Sequence, residues 1–412
     1  MPDPSNGATV VTRGEQMLAL RRRRMAASHP FFRGGFRPFF FAGAAWALIA
    51  LCLWICSLVG EITLPTAIEA LAWHRHEMLF GFVGAIIGGF LLTAVPNWTG
   101  RLPIAGWPLA GLFSLWAAAR LAVLFSGTLS LWLAGLLDVG FFVVLGLLAA
   151  REVLEANNRN TPVVGMILLF GVADLTDYLA NANVIPWPDL GWQLAIALVV
   201  LLISLIGGRI IPSFTRNWMA KRGVKTGLPT QPGKFDLVVI GATAVAMLFW
   251  LVGPPELLTG VVVVAAGALQ LVRWARWRGW RTFADPLVLI LHVGYLWIPV
   301  GLGLLGLSLA GYVPRSAAIH SLTAGAMATM ILAVMTRASL GHTARELKAS
   351  PLTVIVYALV TAGALLRVAA SLTLIDYNMG IDIAGVAWGG AFLLFLIAYA
   401  PVLWRPRLGE AR

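Results

Sequence analysis

Three of the six histidines in the chain sit where imidazole chemistry is expected. His74 and His76 flank Arg75 and precede Glu77, at the mouth of the apolar run Met78–Val95. His320 lies in a second apolar run, about 244 residues after His76. Charged and imidazole groups in such places are costly unless paired or ligated, which makes them functional candidates. Two imidazoles brought from distant helices to one depth can clamp a haem iron from both sides. The competing readings are a hydrogen-bonded pair of core histidines and, for Arg75, a solvated place among lipid headgroups.

His74 and His76 are two residues apart, so on a helix they face roughly opposite ways. His74 shares its face with Met78, Gly81, Ala85 and Gly88, and His76 with Phe80, Val83, Gly84 and Ile87. The small residues below His74 leave room for a flat macrocycle or a close neighbouring helix. If one histidine binds haem, the other is free for a second metal or a proton path. Met78 beside His74 is a candidate copper ligand, since a thioether is soft, and core packing is its alternative. His292 is a further candidate metal ligand.

Other charges fall inside apolar runs: Arg120, Asp138, Asp174, Asp177, Arg209 and Arg367. Asp174 and Asp177 share one helix face and suit protons, a cation or an ion pair with Arg120. Arg209 and Asp138 suit a haem propionate or a proton route. There is no nucleotide-binding glycine loop, no Ser-His-Asp pattern and no cysteine knuckle.

These residues need a scaffold, and composition defines it. Of 412 residues, 59% are hydrophobic and 12% charged, against about half and a quarter in soluble domains. The chain therefore reads as an all-α integral membrane protein whose main partner is the lipid bilayer. Twelve spanning helices are predicted, roughly 38–60, 74–96, 106–126, 128–149, 161–182, 189–212, 235–253, 255–273, 285–310, 315–337, 351–375 and 380–404. Prolines such as Pro96 and Pro212 mark their ends. Cys52 and Cys56 lie four apart in the first run, as core residues rather than a disulfide. No cleavable leader is evident, because the run after Arg21–Arg24 is long enough to stay in the membrane.

The net charge of +12 comes from basic residues between the apolar runs, a pattern that sets orientation rather than binding nucleic acid. Arg and Lys follow every even-numbered run, while Glu61, Glu69, Asp189, Glu256, Asp376 and Asp382 lie on the other side, with Arg315 the exception. Both termini are thus expected in the cytoplasm. Residues 1–37 read as a tail, disordered over about the first 30, that ends in an interfacial segment, 38–404 as one transmembrane domain and 405–412 as a C-terminal tail. The segment RWARWRGWR (Arg273–Arg281) reads as an interfacial belt. Ile87-Gly88-Gly89 and Asn97-Trp98 recur as Ile206-Gly207-Gly208 and Asn217-Trp218, a period of about 120 that implies three four-helix units. His76 and His320 then occupy equivalent places in the first and third.

The segments GFRPFFF (Gly35–Phe41), WHRHEMLFGF (Trp73–Phe82), GFLLTAVPNWTGR (Gly89–Arg101) and GGRIIPSFTRNW (Gly207–Trp218) resemble the NnrS family of bacterial membrane proteins. That resemblance implies a haem- and copper-containing inner-membrane protein linked to nitric oxide tolerance, with His74, His76 and His320 as candidate metal ligands. The second helix is also similar to the haem-ligating helix of haem-copper oxidase subunit I, through His74, Met78 and Phe80 followed by Gly88-Gly89-Phe90. This likeness implies haem histidines on the second and tenth helices and favours His74 over His76. The oxidase copper histidines have no counterpart here, which argues against a binuclear centre. The expected function is a haem protein, b-type, that binds nitric oxide or passes electrons to a redox partner, with copper as a second metal. The alternative is a transporter of a metal or metal-nitrosyl species.

Overall fold

The computed structural model describes residues 12–410 except Pro254. Residues 1–11 of the predicted tail and the last two residues lie outside the described residues. Every regular element among the described residues is a helix. Twelve are long and apolar enough to cross a bilayer: Phe36–Leu58, Ala70–Thr99, Trp107–Leu124, Leu131–Glu155, Thr161–Asn181, Leu190–Lys221, Lys234–Val252, Glu256–Arg281, Pro286–Leu309, Arg315–His342, Pro351–Ser371 and Tyr377–Trp404. This is a multi-pass membrane protein, and its even number of spans leaves Phe36 and Trp404, the outer limits of the first and last, on one face.

Local chemistry explains most boundaries. Ser130, Asp285, Ser350 and Asp376 each accept a backbone N–H in the first turn of the helix they precede. Gly100 and Gly253 end helices with left-handed φ of 68° and 70°. Pro96 and Pro212, expected at helix ends, instead lie inside helices that continue to Thr99 and Lys221. Neighbouring helices tolerate such prolines inside membrane bundles. The N-terminal segment expected to be disordered contains a helix, Arg13–Ala26. Thr12 and Glu15 exchange hydrogen bonds across its first turn, a capping box ahead of strong helix formers.

The second, sixth, ninth and tenth spans are the most buried. Three wide π-turns interrupt the helices, at Glu77–Val83 in the second span, Ile203–Gly207 in the sixth and Ser321–Met327 in the tenth. They recur every fourth span, so the repeat is written in the backbone. His76 and His320 are the residues immediately before the first and third of them. π-turns of this kind often accompany functional sites.

The predicted interfacial segment His29–Phe41 folds into the bundle end. Phe31, Phe36, Phe39 and Phe40 are buried, and Phe31 stacks on Trp404 at 4.1 Å. The Arg37 guanidinium donates to the carbonyls of Leu403 and Arg405 at 2.8 and 2.6 Å, tying the first span to the end of the twelfth. Arg33 pairs with Glu410 at 3.1 Å beside it. The Arg273–Arg281 belt is also partly core. Arg273 is buried against Asp236 at 2.7 Å, and Trp277 is buried. Cys52 faces outward instead of into the core.

Arg37→Ala strands two helix-end carbonyls and is expected to cost about 2 kcal/mol, the size of lost charge-assisted hydrogen bonds. Thermal unfolding in detergent measures it. An unshifted midpoint would mean that this clasp contributes nothing.

Candidate functional site

The functional candidates gather at the end of the second span far from the termini. Its first helical segment, Ala70–His76, runs into the π-turn Glu77–Val83. His74 and His76 leave this segment in different directions, and each meets its own set of partners.

His76 is buried among acids. Its Nδ1 lies 3.0 Å from Asp177 Oδ2 and its Nε2 lies 2.9 Å from Asp138 Oδ2. Asp174 Oδ1 stands 3.9 Å from the same Nε2. The Tyr178 hydroxyl donates to Asp138 at 3.3 Å, and the Tyr178 ring packs edge-on against the imidazole. Arg120, fully buried, donates to Glu77 Oε2 at 2.8 Å and is ion-paired with Asp138. Trp46 Nε1 also donates to Glu77. Four carboxylates thus surround one guanidinium and one imidazole. His76, Asp138 and Asp174 each offer a ligand atom, and these atoms all lie within 4.8 Å of one another.

The fourth and fifth spans supply the acids, and helix packing holds them close. A side chain at Gly191 would collide with the Asp177 backbone, its Cβ falling 2.6 Å from Cα, so only glycine lets the sixth span approach there. The π-turn sets the register. Gly81, predicted to sit on the face of His74, instead lies against Glu77, Arg120 and Trp46. The wider turn rotates every residue after Glu77 away from the α-helical pattern, and Trp116 Nε1 donates to the Gly81 carbonyl at 3.0 Å.

His74 points elsewhere. Its ring stacks on Trp54 of the first span at 4.7 Å and 15°. Its Nδ1 is buried with no hydrogen-bond partner. The tenth and eleventh spans pack on each other beside His320. His320 Nδ1–H donates to the Ser316 carbonyl at 2.7 Å, which fixes the tautomer and leaves Nε2 with its lone pair free.

The remaining candidates are dispersed. Arg75 bonds to Asp189 at 3.6 Å and lies over the Trp192 ring, with Arg315 on the same partners. Met78 is partly buried against the hydrophobic core. His292 lies in the half nearer the termini, where its Nε2–H donates to Thr215 Oγ at 2.7 Å. Arg209 donates to Asn160 at 2.8 Å and borders a cavity of about 460 Å³ that Phe90, Asn97, Arg337 and His342 also line. Trp46, Trp54, Tyr178 and Ser316 had no sequence signal, because aromatic and hydroxyl residues in apolar runs are read as packing.

A family model for NnrS proteins matches residues 30–407. The chain belongs to the NnrS family. The NnrS match takes in all twelve spans and every residue of both histidine sites. No individual curated protein matches the chain.

Gly81→Ala would place a Cβ 2.6 Å from the Arg120 guanidinium and 2.9 Å from Trp46 Nε1. It is expected to destabilise by about 1–3 kcal/mol through overpacking. Gly111→Ala, with nothing within 4 Å of its added carbon, should be neutral or slightly stabilising. Equal melting temperatures for the two variants would contradict this account of the π-turn.

Proposed function

We propose that the chain is an inner-membrane haem protein that contributes to nitric oxide tolerance, with His74 and His320 as the residues that would hold one b-type haem. The carrying observation is that both are equipped to ligate: His320 holds its Nδ1–H on the Ser316 carbonyl, and His74 keeps a buried Nδ1 that no hydrogen bond uses. The donor chemistry fits the group. A ligating histidine characteristically donates its other ring N–H to a carbonyl or carboxylate, and His320 already does so to Ser316. Arg367, which also bonds to Ser371 at 2.6 Å, offers a cation for a propionate. His76 is the weaker choice of ligand, since carboxylates face both of its ring nitrogens.

A haem held there would supply one-electron chemistry and an iron able to bind nitric oxide. Two retained histidines favour electron transfer to a redox partner. The two ligands are not equal, however. His320 is anchored through Nδ1, whereas His74 Nδ1 has no partner. Such an anchor raises ligand basicity, so His320 would hold the group more firmly than His74. The positive-inside pattern supports cytoplasmic termini, and the haem then lies toward the periplasmic face. Copper is assigned no site by this reading, for Met78 packs against the core.

A transporter of a metal or metal-nitrosyl species is the second reading. It rests on the cavity beside Arg209 and Arg337, which adjoins an apolar cleft among the second, sixth and tenth spans. The absorption spectrum of the purified protein separates the two readings. The haem reading expects a Soret band with sharp reduced-state bands, lost in His320→Ala and weakened in His74→Ala. A colourless, folded wild-type protein, or full haem content in His320→Ala, would remove it.

A further inference from the structure

The acid cluster around His76 lies on a different side of the second span from His74 and needs its own explanation. Asp174 is fully buried, and neither of its oxygens accepts a hydrogen bond. It points at His76 Nε2 from 3.9 Å. Burying an unpartnered carboxylate is among the costliest arrangements a protein can hold. The nearby cation does not relieve it, since Arg120 is committed to Glu77 and Asp138. If all four carboxyl groups were ionised they would exceed the guanidinium and a protonated imidazole by two charges, a deficit that a bound divalent cation would cancel.

We propose that His76, Asp138 and Asp174 bind a divalent first-row cation of the Mn²⁺, Fe²⁺ or Zn²⁺ type. The ligand atoms lie within 4.8 Å of each other; bonds of about 2.0–2.2 Å need Nε2 and Asp138, now 2.9 Å apart, to part slightly and Asp174, at 3.9 Å, to draw in. In the metal-bound state His76 Nε2 gives its lone pair to the ion in place of the contact with Asp138. Nδ1–H stays on Asp177 at 3.0 Å, and this carboxylate–histidine–metal arrangement fixes the ring. Arg120 holds Asp138 from behind. One imidazole with carboxylate oxygens is a hard to borderline set, unsuited to Cu⁺, which takes thiolate or thioether. Asp177 is the member nearest the surface, at 5% exposed, with Asn181 hydrogen-bonded beside it, so a cation would arrive past these two.

The test does not depend on haem. Chelator-treated protein in detergent is titrated with Mn²⁺, Fe²⁺ (under anaerobic conditions) and Zn²⁺, reading the melting temperature and the bound metal per chain. Wild type is expected to bind one ion and to melt at higher temperature with it. Asp174→Asn keeps the shape and removes the charge. It should melt no lower than metal-free wild type and lose the metal-induced shift. Asp177→Asn should bind about 10–100-fold more weakly, as loss of an outer partner does. The proposal is overturned if none of the three ions shifts folded wild type, or if Asp174→Asn binds as wild type does. Elution as a single species confirms that each variant is folded. A failure here leaves the haem spectrum untouched, and an absent haem spectrum leaves this titration readable.

Discussion

Ionised groups inside a low-dielectric bundle must be matched by partners, and this constraint organises the far end of the second span. Arg120 joins the third span to the second through Glu77 and to the fourth through Asp138. His76 joins the second span to the fourth and fifth. Removing one member of such a set strands the others, and that penalty exceeds the net value of any single pair. The cluster therefore specifies how the first five spans come together more than it stabilises them.

The π-turn lets one short stretch serve two sites. His74 and His76 would diverge on any helix, but the wider turn after them moves Gly81 and Glu77 onto the Arg120 side. The tenth span has the same device directly after His320. The equivalent places in the two spans have nevertheless taken different partners. His76 is held by carboxylates, and its counterpart His320 leans on a backbone carbonyl.

The twelve spans were legible because length and apolarity suffice to mark a bilayer-crossing helix. The offset between His76 and His320 was legible too, and the π-turns show the same spacing. What stayed hidden depends on register and tertiary contact. An α-helical wheel placed Gly81 under His74, and no local pattern announces a π-turn. Arg273 looked interfacial because Asp236, its partner, lies on the preceding span, well away in sequence. Pro96 and Pro212 looked like stops because proline ends helices in water, where no neighbour covers the broken turn. Asp138, Asp174 and Asp177 stood out singly as intramembrane acids, but only the fold shows that they share one histidine.

The Arg37 clasp has a bearing on motion. By fastening the first span to the end of the last, it closes the row of helices on itself. A protein that alternates access by rocking two halves apart needs a seam that can part, and here that seam is bolted by a guanidinium. A closed frame of this kind leaves no free edge between the first and last spans.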